Sequence, residues 1–133
     1  MSPSEPIRLI EMVFPEQTNH YGTLFGGQAL ALMDKAAFIA ASRYCRRTVV
    51  TASSERCDFI SAVRQGQIAE LEARVVSTGR TSMTVEVDLV GEDLLSGTRN
   101  LATRGRFTMV ALDDAGRPTP VVPAPSSCRG TER

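Results

Sequence analysis

The sequence has one histidine, and its three cysteines, Cys45, Cys57 and Cys128, are widely separated. So few nitrogen and sulfur ligands, with no cluster among them, argue against a metal centre. The cysteines form neither a C-x-x-C pair nor the spacing of a disulfide scaffold, which fits a reducing cytosol and hence a cytoplasmic protein. A catalytic dyad of His20 and Cys57 is not expected either, because nothing places the two together and no orienting partner is apparent. An excess of charge is also missing. Fifteen basic residues balance fifteen acidic ones, so no broad attraction to nucleic acid or to an anionic membrane follows. No uncharged apolar run reaches membrane-spanning length, since Asp34 and Lys35 interrupt the best candidate, and the first twelve residues make a poor secretory signal. There is no internal repeat and no coiled-coil pattern.

What is present is enough for one domain, expected over residues 1–123, with 124–133 a flexible tail. From Asp113 onward four of the seven prolines gather among residues with little that could pack, which predicts a surface extension fading into disorder. The chain is organised around residues 19–41, NHYGTLFGGQALALMDKAAFIAA, a glycine-rich turn leading into an apolar helix that runs to about Arg46 and ends in the basic group Arg43, Arg46 and Arg47. One carboxylate, Asp34, sits in its middle. On a helical wheel its neighbours are Gly27, Leu30, Ala31, Ala37, Phe38 and Ala41, whereas the water-facing stripe runs through Gln28, Lys35, Ser42 and Arg46. Asp34 is therefore expected to be at least partly buried, and a buried carboxylate needs a partner or a purpose.

A short strand over 7–13 precedes this segment, and four longer strands follow it. Residues 48–60 carry a β-rich start and a polar string. Leu71, Ala73 and Val75 alternate with charged residues, and Met83, Val85, Val87 and Leu89 alternate with Thr84, Glu86 and Asp88 across the turn at Thr78, Gly79 and Arg80, which predicts a hairpin. After a loop over 91–98, the last strand spans 99–112 with Leu101, Phe107, Met109 and Ala111 on one face; Arg104 and Arg106 on the other are expected to be a solvated face. The order predicts an α+β domain in which one curved antiparallel sheet wraps an apolar helix on nearly every side, with edge strands suited to pairing with a second copy.

Two segments carry recognisable chemistry: N-x-x-G-x-x-F-G-G followed by M-D (Asn19, Gly22, Phe25, Gly26, Gly27, Met33, Asp34) and G-R-T-S-M over 79–83. With V-T-A at 50–52, D-F at Asp58 and Phe59, F-T-M-V-A-L-D at 107–113 and V-V-P at 121–123, their order and spacing resemble the hotdog-fold acyl-CoA thioesterases, in the cytosolic acyl-CoA hydrolase (YciA-like) branch, over about residues 9–123. One departure is Ala62, where that family has a proline before the valine.

The resemblance implies a hotdog fold, a homodimer as the minimal active unit, further assembly into a trimer of dimers, and an acyl-CoA substrate hydrolysed to fatty acid and CoA without a cofactor. It places the catalytic carboxylate on Asp34 and a substrate-positioning amide on Asn19, the two coming from opposite subunits. Asp34 would act as general base on water or attack the carbonyl itself. Backbone N–H groups of Gly26 and Gly27, at the positive end of the helix, would polarise the thioester oxygen. Arg80, Thr81 and Ser82 resemble the segment that meets the CoA moiety. The alternatives from other classes are a non-catalytic acyl-CoA-binding module, which would have no need of a buried base, and a hydroxyacyl-CoA dehydratase, which would want a well-placed histidine.

Overall fold

In the computed structural model, which describes residues 5–121, the apolar stretch forms one helix, α1 (Gly26–Cys45). Its first turn has no side-chain cap, because Phe25 supplies only extended backbone at the cap position. It ends where Arg46 turns left-handed at φ 55° and its N–H donates to the Ser42 carbonyl, close to the predicted end. The buried face is built almost wholly of small residues, Ala29, Ala36, Ala37, Ala40 and Ala41, with Met33 fully buried among them. Small side chains let the helix axis lie close to the sheet.

That sheet has five strands, β1 (Ile7–Met12), β2 (Thr48–Phe59), β3 (Ile68–Thr78), β4 (Ser82–Glu92) and β5 (Arg99–Leu112), all antiparallel in the order β1-β3-β4-β5-β2. The predicted hairpin is β3 and β4, closed by the Gly79 N–H donating to the Ser82 carbonyl at 2.8 Å. Its period-two pattern puts Leu71, Ala73, Met83, Val85, Val87 and Leu89 in the core without exposed surface. On the opposite face the predicted solvated arginines are paired across β4 and β5. Arg104 makes a two-pronged contact with Asp88, at 2.7 and 3.1 Å, and Arg106 reaches Glu86.

Three expectations change. Leu101 is not in register with Phe107 and Met109, because the β4–β5 pairing shifts between Leu89 and Val90, burying both Ala102 and Thr103 and leaving Leu101 half-buried. The segment after β5 does not trail away at Asp113. Asp113 Oδ1 accepts the N–H groups of Ala115 and Arg117, and the chain folds back so that Thr119 donates to the Ala111 carbonyl and Val121 to that of Arg80. The expected tail over 124–133, with Cys128, lies outside the described residues. Finally, the sheet covers one side of α1 only, and Gly27, Ala31, Lys35 and Phe38 remain exposed along the other.

Candidate active site

Asp34 stands half-buried at the margin between the covered and the open side of α1. Its partner comes from β2, where the Thr51 hydroxyl donates to Asp34 Oδ1 at 2.6 Å and lies 3.5 Å from Met109 Sδ. Thr51 faces the helix for a simple reason. It has the same strand parity as buried Val49, so it presents a hydroxyl where the alternation otherwise presents core. The rung is shared with Met109 of β5 and Met83 of β4, both fully buried, which gives the carboxylate a rigid apolar floor. Sequence reasoning quoted Thr51 without giving it a role. The available signal was a hydroxyl at an inward strand position.

Asn19 occupies the loop before the helix. Its Oδ1 accepts from the Tyr21 N–H at 2.9 Å, the Thr23 N–H at 3.2 Å and the Thr23 hydroxyl at 3.1 Å. The carbonyl end of the side chain thus organises the turn, with Gly22 at φ 78°, while the amide N–H₂ end has no acceptor among the described residues. The loop is anchored by the Phe25 N–H to the Gln17 carbonyl, beside a short 3-10 turn (Pro15–Gln17) that was not foreseen, and by the Leu24 N–H to the Val63 carbonyl. Val63 is buried against Gly91, where an added Cβ would come within 3.1 Å of it, so the segment lacking the family's proline is still held in place.

The N–H groups of Gly26 and Gly27 find no acceptor among the described residues, as expected for the first turn of a helix without a cap. A Cβ on Gly26 would make only an ordinary 3.9 Å contact with the Phe59 ring, so close packing alone does not require glycine there. Asn19, Gly26 and Gly27 gather at one end of the molecule. Asp34 does not join them: eight residues further along α1, it is about 12 Å away by the helical rise. A single chain therefore does not bring base and N–H donors onto one carbonyl.

Arg80 is exposed in the turn between β3 and β4, and Thr81 and Ser82 are half-buried. Their backbone closes the sheet, the Thr81 carbonyl accepting from Ala111 and that of Arg80 from Val121. Ser82 and Met83 pair with Val110 and Met109, which brings this turn to the end of the sheet just past the Thr51 rung. His20 stacks on Tyr21 with ring centroids 3.9 Å apart. No hydrogen bond joins it to Cys57 among the described residues. Burial, and secondarily the charge of Asp58, push the Cys57 thiol up, away from the thiolate a dyad would need. Among the described residues no group of three His, Cys, Asp or Glu is placed to hold a metal, and no helix is long and apolar enough to cross a membrane.

Comparison with known proteins bears on this geometry. The family profile described as the thioesterase superfamily matches residues 21–97. A relative in Bacillus subtilis, the uncharacterized acyl-CoA thioester hydrolase YkhA, is 44% identical over 109 residues, covering 82% of this chain and 63% of its own. The chain thus spans less than two thirds of that relative's length. The acyl-CoA hydrolase of Staphylococcus aureus, solved with butyryl coenzyme A, coenzyme A and coenzyme A disulfide, superposes with a TM-score of 0.85 at 36% identity, over 90% of this chain and 73% of its own. Alanine variants of that enzyme at an aspartate, a threonine and an asparagine have also been solved. An acyl-CoA thioesterase described as hexameric superposes with a TM-score of 0.87 at 40% identity, over 95% of this chain and 81% of its own.

Proposed function

The chain belongs to the thioesterase superfamily, with the hotdog fold of its solved neighbours, and from that premise we propose that it is a cytoplasmic hydrolase of fatty acyl-CoA thioesters, releasing free acid and CoA. The observation that carries the proposal is Asp34, a half-buried carboxylate held by the Thr51 hydroxyl at the margin of the open side of the helix. Asp34 takes a proton from water as the water attacks the thioester carbonyl, with one carboxylate oxygen fixed by Thr51 and the other left to act. The N–H groups of Gly26 and Gly27 receive the developing oxyanion, an interaction whose loss typically lowers rate about 10²- to 10³-fold per donor. Asn19 presents its free amide N–H₂ toward water or thioester, its carbonyl being engaged in the turn. Coenzyme A leaves as a thiolate, which needs no strong general acid, and no cofactor enters the reaction.

The separation of about 12 Å along α1 makes the site composite, Asp34 from one subunit and Asn19, Gly26 and Gly27 from the other. The homodimer is then the minimal active unit, and a trimer of dimers is the assembly we assign, in line with the hexameric neighbour. Support for these residues also comes from the S. aureus enzyme, whose mutated asparagine, aspartate and threonine have the same sequence spacing as Asn19, Asp34 and Thr51.

The test is thiol release from acyl-CoAs of graded chain length by the wild type, Asp34→Ala and Asn19→Ala. Hydrolysis by the wild type and its loss by a factor of about 10³ or more in folded Asp34→Ala are expected. Absence of release from every acyl-CoA, or full activity in Asp34→Ala, refutes the assignment. A single turnover in ¹⁸O-water probes direct attack: an Asp34 anhydride opened by water at its Asp34 carbonyl leaves ¹⁸O in the Asp34 carboxylate, a label that base catalysis, which puts ¹⁸O only in the fatty acid, never produces.

A further inference from the structure

Lysine is nearly absent from this chain. Its fifteen basic residues are fourteen arginines and one lysine, Lys35, and that one stands next to Asp34. The contrast matters chemically, because a guanidinium stays protonated in a protein and has no lone pair to offer, whereas an amine that loses its proton attacks activated carbonyls. A thioester is such a carbonyl. The side chains thus present a single amine to the substrate, and it lies beside the residue that hydrolyses that substrate.

The fold leaves this amine available. Lys35 is exposed on the side of α1 that the sheet does not cover, together with Gly27, Ala31 and Phe38. Ala31 precedes it by four residues and Phe38 follows it by three, so both share its face, and the Phe38 ring is 46% exposed. The other neighbours at helical spacing, Leu32 and Ile39, are apolar as well. No carboxylate of α1 therefore lies one turn away on the face of Lys35, and among the described residues Lys35 has no ion-pair partner, unlike Arg8, Arg99, Arg104 and Arg106. Reach is sufficient too. An extended lysine side chain carries Nζ about 6 Å from Cα, and near-attack contact adds about 3 Å. From the position next to Asp34 this spans the carbonyl that Asp34 and its water face.

We propose that Lys35 is a site of self-acylation by the acyl-CoA substrate, and that the amide so formed shuts the active site beside it. The proposal rests on the thioesterase reading for its acyl donor. In the step, the Lys35 ammonium first gives one proton to water. Nζ then bonds to the thioester carbonyl carbon, the carbon–sulfur bond breaks with its electron pair going to sulfur, and the surplus proton on nitrogen ends on the departing CoA thiol. Hydrolysis and acylation compete for the same bound thioester. Water activated by Asp34 wins while turnover is fast, and Lys35 is acylated where thioester persists. The modification removes a positive charge and leaves an acyl group against Phe38 and Ala31, on the open side where the next substrate has to lie.

The test is intact-mass spectrometry with peptide mapping after incubation in excess hexanoyl-CoA. Folded Asp34→Ala, in which hydrolysis is stalled, should gain a hexanoyl group on Lys35, at a rate at least about tenfold above that of Nα-acetyl-lysine amide in the same solution. The group should resist hydroxylamine, which strips acyl groups from cysteine sulfur, and trypsin should no longer cut after residue 35. The Asp34→Ala/Lys35→Arg double variant should carry no hydroxylamine-resistant group in that peptide. Wild type treated in the same way should lose kcat in proportion to its adduct, while Lys35→Arg starts at the wild-type rate and keeps it. No adduct at Lys35, formation no faster than on the free amine, an adduct that leaves kcat intact, or an equal loss in Lys35→Arg would overturn the proposal. A wild type that releases no thiol from any acyl-CoA refutes the thioesterase reading instead, and the rate of adduct formation at Lys35 still decides whether the lysine is a site of acylation.

Discussion

Thr51→Val removes one oxygen and keeps the shape and the β-branch. In the structure that oxygen donates to Asp34 at 2.6 Å, and its other neighbour is only the Met109 sulfur at 3.5 Å. A hydrogen bond to a charged group is worth about 1.5–3 kcal/mol, and each 1.36 kcal/mol on a barrier is about tenfold in rate. If Thr51 fixes the carboxylate in the attacking geometry, kcat for acyl-CoA should fall roughly 10- to 150-fold, with KM little changed because Thr51 acts on the base and not on the bulk of the substrate. Stability should hardly respond, since the site is on an edge strand and valine suits a strand at least as well as threonine. Thr51→Ser restores the hydroxyl with a smaller side chain and should keep most of the rate. Steady-state thiol release and a thermal melt measure all of this. Full kcat in folded Thr51→Val, or an equal loss in Thr51→Ser, would refute a positioning role through the hydroxyl.

Subunit mixing tests the composite site: Asp34→Ala and Asn19→Ala should each be inactive alone, but exchanged at equal ratio they should recover about a quarter of wild-type activity, because half the dimers carry one intact site of two. No recovery after verified exchange would place both residues in one chain's site. Gly105→Ala should lower Tm by roughly 3–10 °C, since an added Cβ would sit 2.9 Å from Cys57 Sγ and 3.2 Å from Met33 Cε, and overpacking costs about 1–3 kcal/mol. Adding Cys57→Ala should return part of that loss in the melt.

The elements with uninterrupted alternation were legible, as β3 and β4 illustrate: each inward residue is core, so pattern and register agree. Where the register slips, the pattern misleads. Leu101 lost its inward place to one irregularity, and in β2 two shifts, after Thr51 and after Glu55, insert Ala52 and set Arg56 and Cys57 together opposite the single residue Gly105. Arg56 takes φ 48° at the second of these, while the Cys57 sulfur lies over Gly105. A string of threonine, serines and charges interrupted in this way hides which hydroxyl faces inward, and so Thr51 was quoted and passed over. Residues 113–121 were misjudged because proline content describes what a segment cannot do by itself. Their order comes from carbonyls of Ala111 and Arg80, partners distant in sequence for the latter.

The requirement that an apolar helix be covered on nearly every side was sound, but the sheet meets only part of it, and the shortfall is informative. Phe25 and Phe38 stay 55% and 46% exposed on the helix side, and Val50, Phe59 and Ile60 are 43%, 57% and 58% exposed along or just beyond β2, a strand at the sheet edge. An open edge with free backbone groups beside an apolar face is stabilised by another strand and another helix, which a second copy supplies together. Asp34 lies at the margin of the same uncovered side, and the N–H donors proposed for its reaction, on Gly26 and Gly27, are about 12 Å away in its own chain. Burial and catalysis therefore ask for the same partner. It follows that dilution below the dimer dissociation constant should lower activity and thermal stability over the same concentration range.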